Sequence, residues 1–222
     1  MDIVSALSNS FDYAKEAVWE KWVKWILLLV CTILFPLLYG YLLEIFRGKK
    51  PAPELNDWVN LFIDGLKYLV IGFIWMIPVV IVFVIFLLPV IPAILSGSPQ
   101  AMMMAWGSAM TGVAIAVILA LILALFAIIG VIRFARTGTM GEAFNFNAIL
   151  ATIGKIGWVS YILSLIVLVV VVAIVTGILS LIPFIGRILV FILAPVIAIF
   201  EARYLTLLYD SAAPAVIPPP AA

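Results

Sequence analysis

Residues 68–132 read YLVIGFIWMIPVVIVFVIFLLPVIPAILSGSPQAMMMAWGSAMTGVAIAVILALILALFAIIGVI and contain no Asp, Glu, Lys or Arg. A hydrocarbon core about 30 Å thick takes roughly 20 apolar residues per helical crossing, so this stretch holds two crossings. The polar break Ser96, Gly97, Ser98, Pro99 and Gln100 turns the chain between them. Backbone amides cannot be left unpaired in lipid, so the crossings are helices, the first kinked at Pro78 and ended by Pro89 and Pro92. Outward from this hairpin, residues 156–181 and 188–208 supply two more crossings around a turn at Pro183, Gly186 and Arg187. The expected fold is all-α, a polytopic membrane helical bundle with interfacial amphipathic elbows.

Of 222 residues, 67% are hydrophobic and 10% are charged, far from the roughly 25% charge of soluble domains. A net charge of +1 argues against nucleic acid as a partner. Histidine is absent, which removes the commonest general base and metal ligand, so neither a cofactor nor a metal is expected. Cys31 stands alone and cannot form an intramolecular disulfide.

The charges gather in amphipathic segments. Residues 1–22 form an N-terminal interfacial helix with Ile3, Leu7, Phe11, Ala14, Val18 and Trp22 on one stripe. Residues 23–209 form the transmembrane domain, and 210–222 a disordered proline-rich tail. Within the domain, residues 22–46 are long enough to cross once, yet Pro36 and Gly40 also allow them to dip and return, the reading slightly favoured. A second amphipathic piece places Leu55, Trp58, Val59, Phe62 and Leu66 on one side, with Glu54, Asp57, Asn60, Asp64 and Lys67 elsewhere. A third spans residues 142–154. An aromatic amphipathic helix, a lysine and then a crossing thus recur around Lys24, Lys67 and Lys155.

Arg47, Lys49, Lys50, Lys67, Arg133, Arg136, Lys155 and Arg203 can all share one side, which the positive-inside bias makes cytoplasmic together with the C-terminus. Lys15, Lys21 and Lys24 fit only if residues 22–46 return to the side they entered from.

Leu55-Asn56-Asp57-Trp58 with Leu61-Phe62 and Gly65-Leu66, then Arg133-Phe134-Ala135 with Thr137-Gly138 and Ala143-Phe144, resemble the membrane family catalogued as domain of unknown function 4013. The likeness runs from about Trp19 to Tyr209. It implies a multi-helix architecture in an archaeal plasma membrane. The family has no established activity, so the resemblance assigns no functional residue.

Intramembrane charge is costly and marks candidate sites. Glu44, Glu201 and Arg203 are the best placed. Glu44 precedes Arg47 by three residues, a spacing that allows a helical ion pair, and Glu201 with Arg203 suits an ion pair or a lipid-headgroup contact. Asp57 and Asp64 read as the wet face of an interfacial helix, Met102, Met103 and Met104 as an adaptable apolar cap, and Asn145 as a helix cap. Gly107, Gly112, Ala116, Ala120 and Ala124 form a small-residue stripe suited to close helix packing. No nucleophile with a base partner is visible, so an enzyme is not expected. A self-associating scaffold, membrane-shaping protein or accessory subunit is the favoured expectation, in contact with lipid and with a second copy or another membrane protein. A small channel or transporter is the alternative.

Overall fold

A computed structural model describes residues 2–213, which are helical with no strand. In chain order the helices are α1 (Ile3–Val18), α2 (Trp22–Ile33), α3 (Phe35–Phe46), α4 (Trp58–Leu87), α5 (Val90–Ser96), α6 (Pro99–Thr137), α7 (Phe146–Ile156), α8 (Trp158–Ser180) and α9 (Gly186–Asp210). A short 3-10 turn, Met140–Phe144, precedes α7. The run Trp58–Ser96, α6, α8 and α9 are each long and apolar enough to cross a bilayer. This is the expected all-α polytopic fold. The expected proline-rich tail lies outside the described residues from 214 onward, while Asp210 still belongs to α9.

Residues 22–46 do not make one straight crossing. They form α2 and α3, bent by 119° at Leu34. Pro36 sits in the first turn of α3, where its missing N–H costs nothing, and the helix direction resets just before it. Each arm of 12 residues is about 18 Å long. Two such arms at 119° reach only about 18 Å from end to end, short of a core of about 30 Å. The bend exposes Ile33, Leu34 and Phe35, as a tip immersed in lipid would. The pair is a bent helical hairpin, hinged two residues earlier than Pro36.

The described chain divides into two compact units. One comprises residues 2–69 and 129–213, and α9 is its axis. The Trp25 indole N–H donates to the Ile192 carbonyl at 3.1 Å, and the Thr206 hydroxyl to the Ile45 carbonyl at 3.3 Å. The Tyr204 hydroxyl reaches the Ser164 carbonyl of α8 at 3.2 Å. Helix α1 docks on α9 through Ala6, Ser10, Tyr13, Ala14 and Ala17. Of its expected stripe only Ala14 and Val18 are buried, while Phe11 and Trp22 are exposed. Small side chains bring two helices close, so the small face wins the protein contact.

Within the same unit α3 runs against the first turns of α4 with backbone touching backbone. A Cβ on Gly40 would overlap the Leu61 carbonyl, and one on Gly65 would overlap the Pro36 carbonyl. The second amphipathic piece is thus no separate elbow. It is the start of α4, which continues unbroken through Lys67 and Pro78. The elbow at Lys155 differs, because Gly157 at φ 91° breaks the chain between α7 and α8. The recurrence seen in sequence does not extend to the backbone.

The second unit, residues 70–128, is a helical hairpin. The Ser108 hydroxyl donates to the Phe86 carbonyl at 3.0 Å, and Gly112 lies directly under the Phe86 side chain. Pro92 does not end a helix here. It sits in the first turn of α5, and the stop comes at Gly97.

Gly65→Ala is expected to force α3 and α4 apart and to lower stability by about 1–3 kcal/mol, as overpacking does. Gly107→Ala, at an exposed position with open space around it, should be neutral or stabilising by up to about 1 kcal/mol. Thermal unfolding of the two variants in one detergent checks the contrast.

Candidate membrane-surface site

Where α3 and α4 diverge beyond their glycine contacts, an open cleft of about 550 Å³ forms. Glu44, Arg47, Glu54, Asp57, Asn60 and Asp64 line it. Arg47 is its centre. The guanidinium donates to Glu44, as the i,i+3 spacing predicts, and to Asp64 Oδ2 at 2.5 Å. Lys49 closes on Glu44, and Lys67 on Asp64 at 2.9 Å. Glu44 and Asp64 are largely buried, with side chains 15% and 14% exposed, so each half-buried acid holds two cations. Such a network keeps charge off the lipid and locks the end of α3 to α4.

Asp57 plays a different part from Asp64. It caps α4, accepting the Asn60 backbone N–H at 3.1 Å and its amide at 2.5 Å. The shared wet face expected for the two aspartates is therefore split, because Asp57 lies before the first turn and Asp64 inside the helix.

Both ends of the hairpin are bound to the same charged segment. Lys24, almost wholly buried, meets Glu54 at 3.1 Å and the Ala52 carbonyl at 3.5 Å, with Lys21 at 3.8 Å from the same carboxylate. At the other end Arg136 donates to the Phe46 carbonyl at 2.6 Å and pairs with Asp210 at 2.6 Å. Gly48, at φ 86°, leaves room for that guanidinium. A cation on the last carbonyls of α3 also opposes its dipole. Lys21 and Lys24 thus meet Glu54 at one end of the hairpin, while Arg47, Lys49 and Arg136 gather at the other.

Arg203 and Glu201 do not pair. Two residues apart on a helix, they point roughly 200° from each other. Arg203 is 1% exposed, and its Nε and Nη2 donate to Asn9 Oδ1 at 3.1 and 3.0 Å. Its guanidinium also lies 4.9 Å from the Tyr13 ring centre. Burial pushes the Tyr13 hydroxyl up to about 12, so the ring is a neutral cation–π partner. Among the described residues no carboxylate forms an ion pair with Arg203. The buried charge is held by α1 alone, a role sequence could not show because the partner lies 194 positions away. Glu201 is half-buried within electrostatic reach of Tyr68, whose ring stacks on Tyr39 at 4.5 Å.

The small-residue stripe of α6 is divided. Gly112 and Ala116 are buried inside the hairpin unit, Ala120 is half-buried, and Gly107 and Ala124 face outward. Met103 and Met104 are exposed beside them. Asn145 caps α7 as expected, accepting the Ala148 N–H at 3.2 Å, and its amide donates to Glu142 at 3.1 Å.

The sequence profile of the family described as Protein of unknown function (DUF4013) matches residues 25–184. The chain belongs to this family. The match takes in the hairpin of α2 and α3 from its second turn, the cleft and α4 to α8, and leaves α1 and all of α9 outside. It ends short of the Tyr209 boundary expected from the motifs. No curated protein and no solved structure matches the chain.

Arg47→Met should leave Glu44 and Asp64 each short of a buried partner and cost about 1–3 kcal/mol in chemical unfolding. Lys49→Met, which removes a side chain 57% exposed, should cost less than about 1 kcal/mol. A second outcome concerns pH. The hydrogen bond from Arg133, helped by the Asn145 amide, holds the Glu142 carboxyl below its ordinary 4.5. A depressed folded-state value contributes stability above pH 4.5 and loses it as pH falls through that lower value. The protection factor of the Ala148 amide, its exchange rate corrected for the intrinsic pH dependence, should therefore fall on acidification below 4.5, and Glu142→Gln should abolish that fall.

Proposed function

We propose that the protein is a non-enzymatic scaffold or accessory subunit that shapes one face of the membrane. The observation that carries this reading is the short hairpin of α2 and α3. Its two ends are tied by ion pairs to one charged segment, and Ile33, Leu34 and Phe35 are exposed at its bend. Such an element inserts volume on one side of the bilayer without crossing it. Amphipathic α1 and α7 add to the same unit, with Phe11, Trp19, Phe146 and Leu150 exposed. Asymmetric insertion of this kind strains a leaflet and favours curvature. The candidate charges fit a structural role, since Glu44 is consumed in ion pairs and Arg203 holds α1.

On this reading the cation-rich layer is cytoplasmic, and α9 brings the C-terminus to it, by the positive-inside rule in a plasma membrane. Lipid is the first partner. A second copy or another membrane protein is the other, for which Gly107 and Ala124 remain outward.

The full chain reconstituted into phosphatidylcholine and phosphatidylglycerol vesicles should be enriched severalfold on small vesicles over large ones, measured by single-vesicle fluorescence. Leu34→Asp, which charges the tip at a half-exposed position, should erase that preference while leaving Tm in detergent nearly unchanged. Wild-type protein with no size preference, or one that passes ions through the vesicle wall, overturns the reading.

A further inference from the structure

The hairpin unit of residues 70–128 is longer than the hydrocarbon core of an ordinary bilayer is thick. The part of α6 within it runs from 99 to 128. Thirty residues make about 45 Å of helix, against a core of about 30 Å. To bury that length by leaning, the helix would tilt by about 48°, beyond the roughly 40° reached by membrane helices. Helix α8, with 23 residues, needs only about 35 Å.

The surplus lies at the tip. The contact of Ser108 with Phe86 fixes how the two legs pair. From Ser108 to Ile128 the helix already covers about 30 Å, and its start at Pro99 lies about 14 Å further. This outer part is apolar on most sides. On α5 and the turn before it, Leu88, Ile91, Ile94 and Leu95 are exposed, and on α6 so are Met103, Met104 and Trp106. Only Ala93, Ala105 and Ala109 are buried between the legs. A protein partner covers one face of a helix, whereas a surface apolar nearly all round is suited to acyl chains. The whole unit carries no charge that would stop lipid from covering it.

We propose that residues 70–128 form a lipid-contact element selective for thick bilayers, its partner being long acyl chains that cover the legs up to the tip. The protein then accumulates where the membrane is thicker, because each ångström of mismatch costs a fraction of a kcal/mol. This does not rest on the curvature reading, which concerns the other unit.

The test uses the full chain with Met103→Cys, at a position 71% exposed, labelled with an environment-sensitive dye. The wild type, whose only cysteine, Cys31, is buried, is the labelling control. The chain is reconstituted in dimyristoleoyl, dioleoyl or dierucoyl phosphatidylcholine. Iodide quenching of the probe should fall severalfold from the shortest to the longest lipid. Unlabelled protein offered a mixture of the vesicles should float preferentially with dierucoyl lipid. A probe open to iodide in all three lipids would mean a tip in water. A probe shielded equally in all three would mean a protein cover or a leaning hairpin. Either result, or flotation without preference, overturns the proposal.

Discussion

The cost of placing charge in hydrocarbon governs this molecule. A full charge at the centre of a bilayer costs several kcal/mol or more, so most Lys and Arg lie toward helix ends, where Lys24, Arg47, Lys49, Lys67, Arg133 and Arg136 are paired. The network of Glu44, Arg47, Lys49, Asp64 and Lys67 follows from that constraint, as does the burial of Lys24 against Glu54. The two ends of the hairpin formed by α2 and α3 are held by acids of one stretch of chain, Lys24 by Glu54 and Arg47 by Glu44 and Asp64.

Packing then decides how closely the helices can satisfy those charges. Glycines 40 and 65 let α3 and α4 touch at the backbone, which brings Arg47 within reach of Asp64. In α1 the same logic selects Ala6, Ser10, Ala14 and Ala17 as the docking face and leaves the larger Phe11 outside. Helix α9 gains from this close approach. It packs against α1, α2, α3 and α8, and its Arg203 is held by the Asn9 amide oxygen and the Tyr13 ring. Among the described residues Arg203 makes its side-chain hydrogen bonds to α1, so α1 and α9 depend on each other.

The two units divide the physical tasks. In residues 2–69 and 129–213, charge, aromatic side chains and short helices meet. In residues 70–128 there is no charge, and helix length together with apolar exposure is the only information the surface carries.

Sequence by itself determined the membrane class, the all-α fold, the crossings and the ion pair of Glu44 with Arg47. These depend on local quantities, namely the length of an uncharged run, the period of a helix and a spacing of three residues. The same local reading left open whether residues 22–46 cross, because a proline permits either a kink or a return. It took the first turns of α4 for a separate elbow, since amphipathicity shows which face is wet but not whether the backbone stops. Only the tertiary structure decided the 119° bend, the division of the small-residue stripe between packing and exposure, and the separation of Arg203 from Glu201. Each of these turns on which distant segment comes to lie against a given face, and that choice is made by summed packing and desolvation over the whole chain rather than by any stretch of it.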